Sequence, residues 1–137
     1  MTRVLILCTG NSARSQMAEG WLKRLGQGRL AVESAGTHPS VVHPMAVTAM
    51  AERGIDLSTH RSKSIREFLG QSFDAVITVC DRAQESCPVF PGSPTRVHWS
   101  IPDPTAMGDT DAERLDAFRR VRDLLETRLR EFLATQG

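Results

Sequence analysis

The sequence has no tyrosine, only three cysteines in 137 residues, and no apolar run near the roughly 20 residues that span a bilayer. No membrane-spanning helix is expected, and Met1, Thr2 and Arg3 lead into an apolar strand rather than a signal peptide. Neither sign of charge dominates: 17 Lys and Arg against 16 Asp and Glu leave a net charge of +1, which offers no broad field for nucleic acid or an anionic membrane surface. Three is an odd number of cysteines, and in a reducing compartment thiols are more often catalytic, redox-active or metal-binding than structural. There is no internal repeat, low-complexity tract or linker, so the length suits a single domain over residues 1–137 and a cytoplasmic location.

Against these absences stands the run Cys8, Thr9, Gly10, Asn11, Ser12, Ala13, Arg14, Ser15, which follows the apolar tetrad Val4, Leu5, Ile6, Leu7 and precedes a helical pattern. Five residues between Cys8 and Arg14 let a loop curl around a tetrahedral oxyanion, with backbone N–H groups, a helix N-terminus and a guanidinium facing one point. A thiol beneath that point sits in positive surroundings that favour the thiolate, the nucleophilic form. A buried cysteine closing a core strand accounts for neither Gly10, which permits close backbone approach, nor Arg14 and Ser15 at the start of the next helix.

Val4 to Leu7 read as a central parallel strand covered on both faces. Met17, Trp21, Leu22 and Leu25 line one face of a first helix that Gly26 stops, and a second strand begins at Leu30 and ends near Gly36. A second helix is expected over residues 43–53, with Pro44 near its start, Val47, Met50 and Ala51 inward and Gly54 as its cap. Residues 62–69 predict a short helix anchored by Ile65, Phe68 and Leu69; residues 74–79 and 95–99 predict the last two strands, and a polar loop follows from Ser100 to Asp109. Thr110 and Glu113 form a capping-box pattern for a long terminal helix whose stripe is Leu115, Phe118, Val121, Leu125, Leu129 and Phe132, with Arg and Glu on a solvated outer face. The alternation predicts an α/β three-layer sandwich, a four-stranded parallel sheet flanked by helices.

Beyond the loop, Cys80 and Cys87 are separated by six residues in a polar segment at the end of the third strand. That spacing is too wide for a thioredoxin-like CxxC and weak for zinc, since a tetrahedral site needs two more ligands and the four histidines show no paired spacing with the cysteines; His60 and His98 are the possible ligands, and no metal is expected. A movable thiol pair fits better: a disulfide needs Cα atoms within roughly 7 Å, which a segment of this length reaches by looping or by losing a helical turn. Asp103, between Pro102 and Pro104, is a candidate general acid for an oxygen leaving the bound central atom.

Residues 8–15, the Cys80 and Cys87 spacing, and Asp103 with Pro104 together resemble the thioredoxin-coupled arsenate reductases, which share the fold of low-molecular-weight protein tyrosine phosphatases. The resemblance covers the whole chain and implies reduction of arsenate to arsenite for arsenic detoxification. It makes Cys8 the nucleophile, Arg14 with Thr9, Gly10, Asn11, Ser12 and Ala13 the oxyanion site, Ser15 the hydroxyl that supports Cys8, Asp103 the acid, and Cys80 and Cys87 the successive thiols of a relay. No cofactor is implied, only an external thiol donor, thioredoxin; phosphate and sulfate are the competing oxyanions, and the protein is expected as a monomer.

In related reductases an acidic residue after the second helix joins the equivalents of Asn11, Glu19 and Ser34 around a potassium ion. Here Lys63 stands at that place: either its ammonium replaces the ion, with little potassium activation expected, or it is an ordinary surface lysine. Two other activities share the loop. A tyrosine phosphatase leaves Cys80 and Cys87 idle and lacks aromatic residues after Pro104, where Thr105 and Ala106 stand; a non-catalytic metalloid-binding module gives Asp103 no task.

Overall fold

Val4 to Leu7 are apolar without alternation because both faces of their strand, β1 (Thr2–Cys8), are covered and buried. In the computed structural model, which describes residues 2–136, β1 pairs in parallel with β2 (Leu30–Gly36) on one side and β3 (Ala75–Thr78) on the other. The outermost residues of the expected domain, Met1 and Gly137, lie outside the described residues. β4 (Thr95–His98) adds in parallel beyond β3, so the order is β2-β1-β3-β4. Because the chain leaves β1 in one direction and returns to β3 on the other side, a crevice opens at the carboxyl ends of these two strands, where open α/β sheets bind ligands. Cys8 ends β1 and Cys80 follows β3, so both thiols reach that crevice.

Among the described residues four α-helices flank the sheet: α1 (Arg14–Gly26), α2 (Pro44–Ala51), α3 (Asp81–Glu85) and α4 (Asp111–Gln136). Met17, Trp21 and Leu22 are buried as expected, with the Trp21 indole donating to the Arg122 carbonyl at 3.0 Å. Gly26 is not the cap that its sequence position predicts. A Cβ there would lie 2.9 Å from Leu30 Cδ1, so its smallness serves packing, while Gln27 takes the left-handed conformation with φ 48°. In α2, Met50 is buried but Ala51 is exposed and Val47 only half-buried; Ala46 and Ala49 face inward instead, allowing α4 to approach closely. The helix ends before Arg53, where Ile55 N–H closes on the Met50 carbonyl at 3.0 Å across left-handed Gly54.

The helix expected over residues 62–69 is one 3₁₀ turn, Ile65–Phe68, and Leu69 is exposed rather than an anchor. Lys63 and Ser64 are held extended beside Gly36, whose N–H bonds the Lys63 carbonyl at 2.9 Å, which leaves little chain to coil. Along α4, Phe118, Val121, Leu125, Leu129 and Phe132 are buried and Leu115 is half-buried. One charge departs from the solvated face: Arg122 is buried and ties α4 to α2 through the Ala49 carbonyl (2.9 Å) and Glu52 (2.8 Å). The expected cap is present, with Thr110 Oγ1 accepting from Glu113 N–H at 3.1 Å.

Candidate active site

The loop after β1 is held by its carbonyls. Those of Cys8, Thr9, Gly10 and Ser12 accept N–H bonds from Thr37, His38, Ser40 and His43, at 2.8–3.4 Å, all in the segment between β2 and α2. With the carbonyls turned outward and engaged, the loop's N–H groups form the polar face left for the cavity inside. α1 adds its N-terminus, where Ala13 supplies no side-chain cap, so its first N–H groups are left for a ligand.

Asn11 makes the tight curl with φ 45° and is fully buried. Its amide donates to Ser15 Oγ (2.8 Å) and Ser34 Oγ (2.9 Å), and its carbonyl oxygen Oδ1 accepts from Lys63 N–H (2.8 Å) and Gln16 Nε2 (3.0 Å). Its side chain therefore supports the loop from behind rather than lining the cavity. Of the two glycines at the loop, packing within the chain demands only one. A Cβ on Gly10 would make ordinary contacts at 3.7 Å, whereas one on Gly36 would lie 2.5 Å from the Thr9 carbonyl oxygen.

Cys8 is buried at the bottom of the loop, its Sγ 2.9 Å from Ser15 Oγ and accepting from Asn11 N–H at 3.2 Å. Above it is a cavity of about 340 Å³, floored by Cys8, Gly10, Ser12 and Arg14 and walled by Asp103, Thr105 and Arg82. Arg14 is anchored by the Ile101 carbonyl at 2.9 Å, and its Nη2 lies 3.9 Å from Asp103 Oδ2. Asp103 caps a 3₁₀ turn, Pro104–Ala106, and its Oδ1 accepts from Thr105 N–H (3.0 Å) and Thr105 Oγ1 (2.7 Å), which leaves Oδ2 toward Arg14.

Cys80 is buried and caps α3, its Sγ accepting from Ala83 N–H at 3.4 Å while lying 3.3 Å from Thr9 Oγ1 in the loop. Cys87 is half-buried on the β4 side, where Arg96 Nη1 donates to its Sγ at 2.9 Å. All three thiols are free. The segment expected to be a movable polar stretch is thus coiled as α3 between Cys80 and Cys87. At about 1.5 Å per helical residue the two lie on the order of 10 Å apart, beyond disulfide reach without uncoiling.

Behind the loop, Lys63 is buried with Nζ 3.3 Å from Glu19 Oε1 and 3.5 Å from Glu33 Oε2, and the Ser34 hydroxyl donates to Glu19 Oε1. Burial alone would raise the Glu19 pKa, but hydrogen bonds from Lys23 and Ser34 and the charges of Lys63 and Lys23 outweigh it and hold the carboxyl below its ordinary range. Burial, only partly opposed by Glu19, likewise pushes His60 down, and its Nδ1 meets Gln16 Oε1 at 3.0 Å. Since the folded-state value of Glu19 is depressed, its contribution to stability is present above the unfolded pKa and is lost as pH falls through the folded one. Resistance to urea should therefore fall more steeply below about pH 5 in the wild type than in Glu19→Gln. At neutral pH the same variant should be less stable by about 3 kcal/mol, because Lys63 is left buried with only the more exposed Glu33 as its counter-charge.

Gln16, His43, Thr105 and Arg82 belong to this neighbourhood without having been singled out as site residues from the sequence. Thr105 has a local signal, a hydroxyl two residues after an Asp that precedes Pro. His43 carries the N–H that bonds the Ser12 carbonyl, and its ring packs on Phe118 with centroids 4.8 Å apart, a tertiary relation with no local signature.

A family model for the low molecular weight phosphotyrosine protein phosphatases matches residues 3–136. An arsenate reductase of Halalkalibacterium halodurans is 46% identical over 132 residues, 96% of this chain and 95% of the relative. Among solved structures, an arsenate reductase in its oxidized state is 35% identical with a TM-score of 0.84, covering 100% of both chains. A thioredoxin-dependent arsenate reductase of Corynebacterium glutamicum is 26% identical with a TM-score of 0.75, covering 98% of this chain and 61% of that one.

Proposed function

The chain belongs to the low molecular weight phosphotyrosine protein phosphatase family, and on that premise we propose that it reduces arsenate to arsenite as a single cytoplasmic domain, recycled by thioredoxin. The observation that carries this reading is the position of Cys80. A second free, buried thiol lies against Thr9 of the oxyanion loop, where a phosphatase has no use for one.

Arsenate enters the loop, where the N–H groups, the α1 N-terminus and Arg14 take its negative oxygens. The Cys8 thiolate attacks arsenic while Asp103 protonates the departing oxygen, which leaves as water. Cys80 then attacks Cys8 Sγ. The S–As bond breaks with its electron pair going to arsenic, arsenite departs, and a disulfide joins Cys8 to Cys80. Phosphate, bound in the same way, cannot take up that electron pair. Uncoiling of α3 brings Cys87 onto Cys80, forming the second disulfide and releasing Cys8 as thiolate, and the donor dithiol reduces the Cys80 to Cys87 bond. Ser15 holds the Cys8 sulfur as nucleophile and as leaving group. Behind the loop the donor set does not fit a potassium ion: the Lys63 ammonium occupies the position beside Glu19 and supplies the positive charge itself.

NADPH oxidation with thioredoxin and thioredoxin reductase, with and without arsenate, tests the reading beside hydrolysis of an aryl phosphate. Arsenate-dependent oxidation is expected, with aryl phosphate hydrolysis weak; the reverse pattern makes the protein a phosphatase, and stoichiometric arsenite capture without oxidation makes it a binding module. Asp103→Ala should slow formation of the Cys8 adduct by about 10²-fold or more in rapid-quench measurements while phosphate binding is largely retained. An unchanged adduct rate removes Asp103 from the chemistry.

A further inference from the structure

Arg14 is the one loop cation, and it is already answered by two groups, the Ile101 carbonyl and the Asp103 carboxylate. That guanidinium takes one side of an oxyanion carrying two negative charges, and a second one at the mouth would add a further charge-assisted fork. Arg82 is the residue placed to supply it. It is exposed, borders the cavity above Cys8, and also borders a neighbouring cavity of about 460 Å³ beside Thr9 and His38, so its side chain straddles the ridge between them. Among the described residues no carboxylate pairs with it. Its neighbour Asp81 is turned the other way, its Oδ1 accepting from Ser100 Oγ at 2.7 Å and lying 2.8 Å from His98 Nε2. That pins the start of α3 to the β4 side and leaves Arg82, one residue on, over the cavity.

We propose that Arg82 is a second oxyanion-binding residue, closing over the bound anion and thereby tying substrate to the helix that begins at Cys80. While the anion is held, α3 stays coiled with Cys80 beside the loop; when arsenite departs, α3 loses that tie and is free to uncoil toward the second exchange. The inference rests on the loop being an oxyanion site.

Titration calorimetry of inorganic phosphate into the reduced protein tests it, comparing wild type with Arg82→Ala and Arg82→Lys. The Ala variant should bind phosphate roughly 3- to 10-fold more weakly, with a shallower dependence on salt, and the Lys variant should recover part of the loss. In turnover, kcat/KM for arsenate should fall by at least the same factor, since the lost contact is made to the substrate and, through α3, to the position of Cys80. Phosphate affinity equal to wild type in the Ala variant overturns the role of Arg82 alone. Absence of phosphate binding by the wild type overturns the oxyanion site as well. Should the Ala variant fail to fold, Arg82→Gln, which keeps the length and removes the charge, gives the same comparison.

Discussion

Serine in place of Cys8 should end arsenate reduction while leaving the oxyanion loop able to hold phosphate. The hydroxyl is nearly isosteric with the thiol and can keep the bonds to Ser15 Oγ and Asn11 N–H, so the loop has no cause to collapse. What disappears is the chemistry. An oxygen bonded to arsenic cannot be attacked by Cys80 to form a disulfide, and without that attack no electron pair reaches arsenic. The loss should exceed about 10⁴-fold in NADPH-coupled turnover, with phosphate affinity close to wild type by calorimetry. Turnover within about a hundredfold of wild type would show that another group makes the first bond to arsenic.

Cys87→Ser should separate the two halves of the relay. Cys8 and Cys80 remain at the loop, so each molecule should release about one equivalent of arsenite and then stop with its Cys8 to Cys80 disulfide intact. Cys87 lies on the β4 side, engaged by Arg96 and separated from Cys80 by α3, and is remote from the first two steps. Arsenite release in a single-turnover mixture, followed by peptide mapping under non-reducing conditions, checks both parts. Sustained thioredoxin-driven turnover in this variant would mean that the first disulfide is reduced directly and that the outward transfer through Cys87 is not required.

These two expectations depend on sites of different legibility. Residues 8–15 form a continuous local signal, because an oxyanion loop is built from consecutive backbone groups and closes on the helix that follows it. Asp103 was legible through its prolines, though the reason its Oδ2 is left for Arg14 is Thr105, which takes Oδ1. Lys63 was legible as a departure from related chains, and the structure brings its ammonium to Glu19. Packing within the chain demands Gly36 beside the Thr9 carbonyl, which no local signal marks, and the Asn11 side chain points into the support rather than the cavity. Ala51, Leu69 and Arg122 were misplaced because amphipathic periodicity sets a face but not which neighbour covers it.

By itself the sequence determined the strand and helix alternation, the nucleophile with its loop, and the presence of two further thiols at a spacing that suits exchange. These are properties of contiguous residues, expressed through backbone geometry and hydrophobic period. Only the tertiary structure decided that Cys80 lies against the loop while Cys87 is held away on the β4 side, that the loop carbonyls are taken by the segment before α2, and that Arg82 overlooks the cavity. Those relations join residues far apart in the chain, and their distances are set by the parallel order β2-β1-β3-β4, which opens its crevice between β1 and β3.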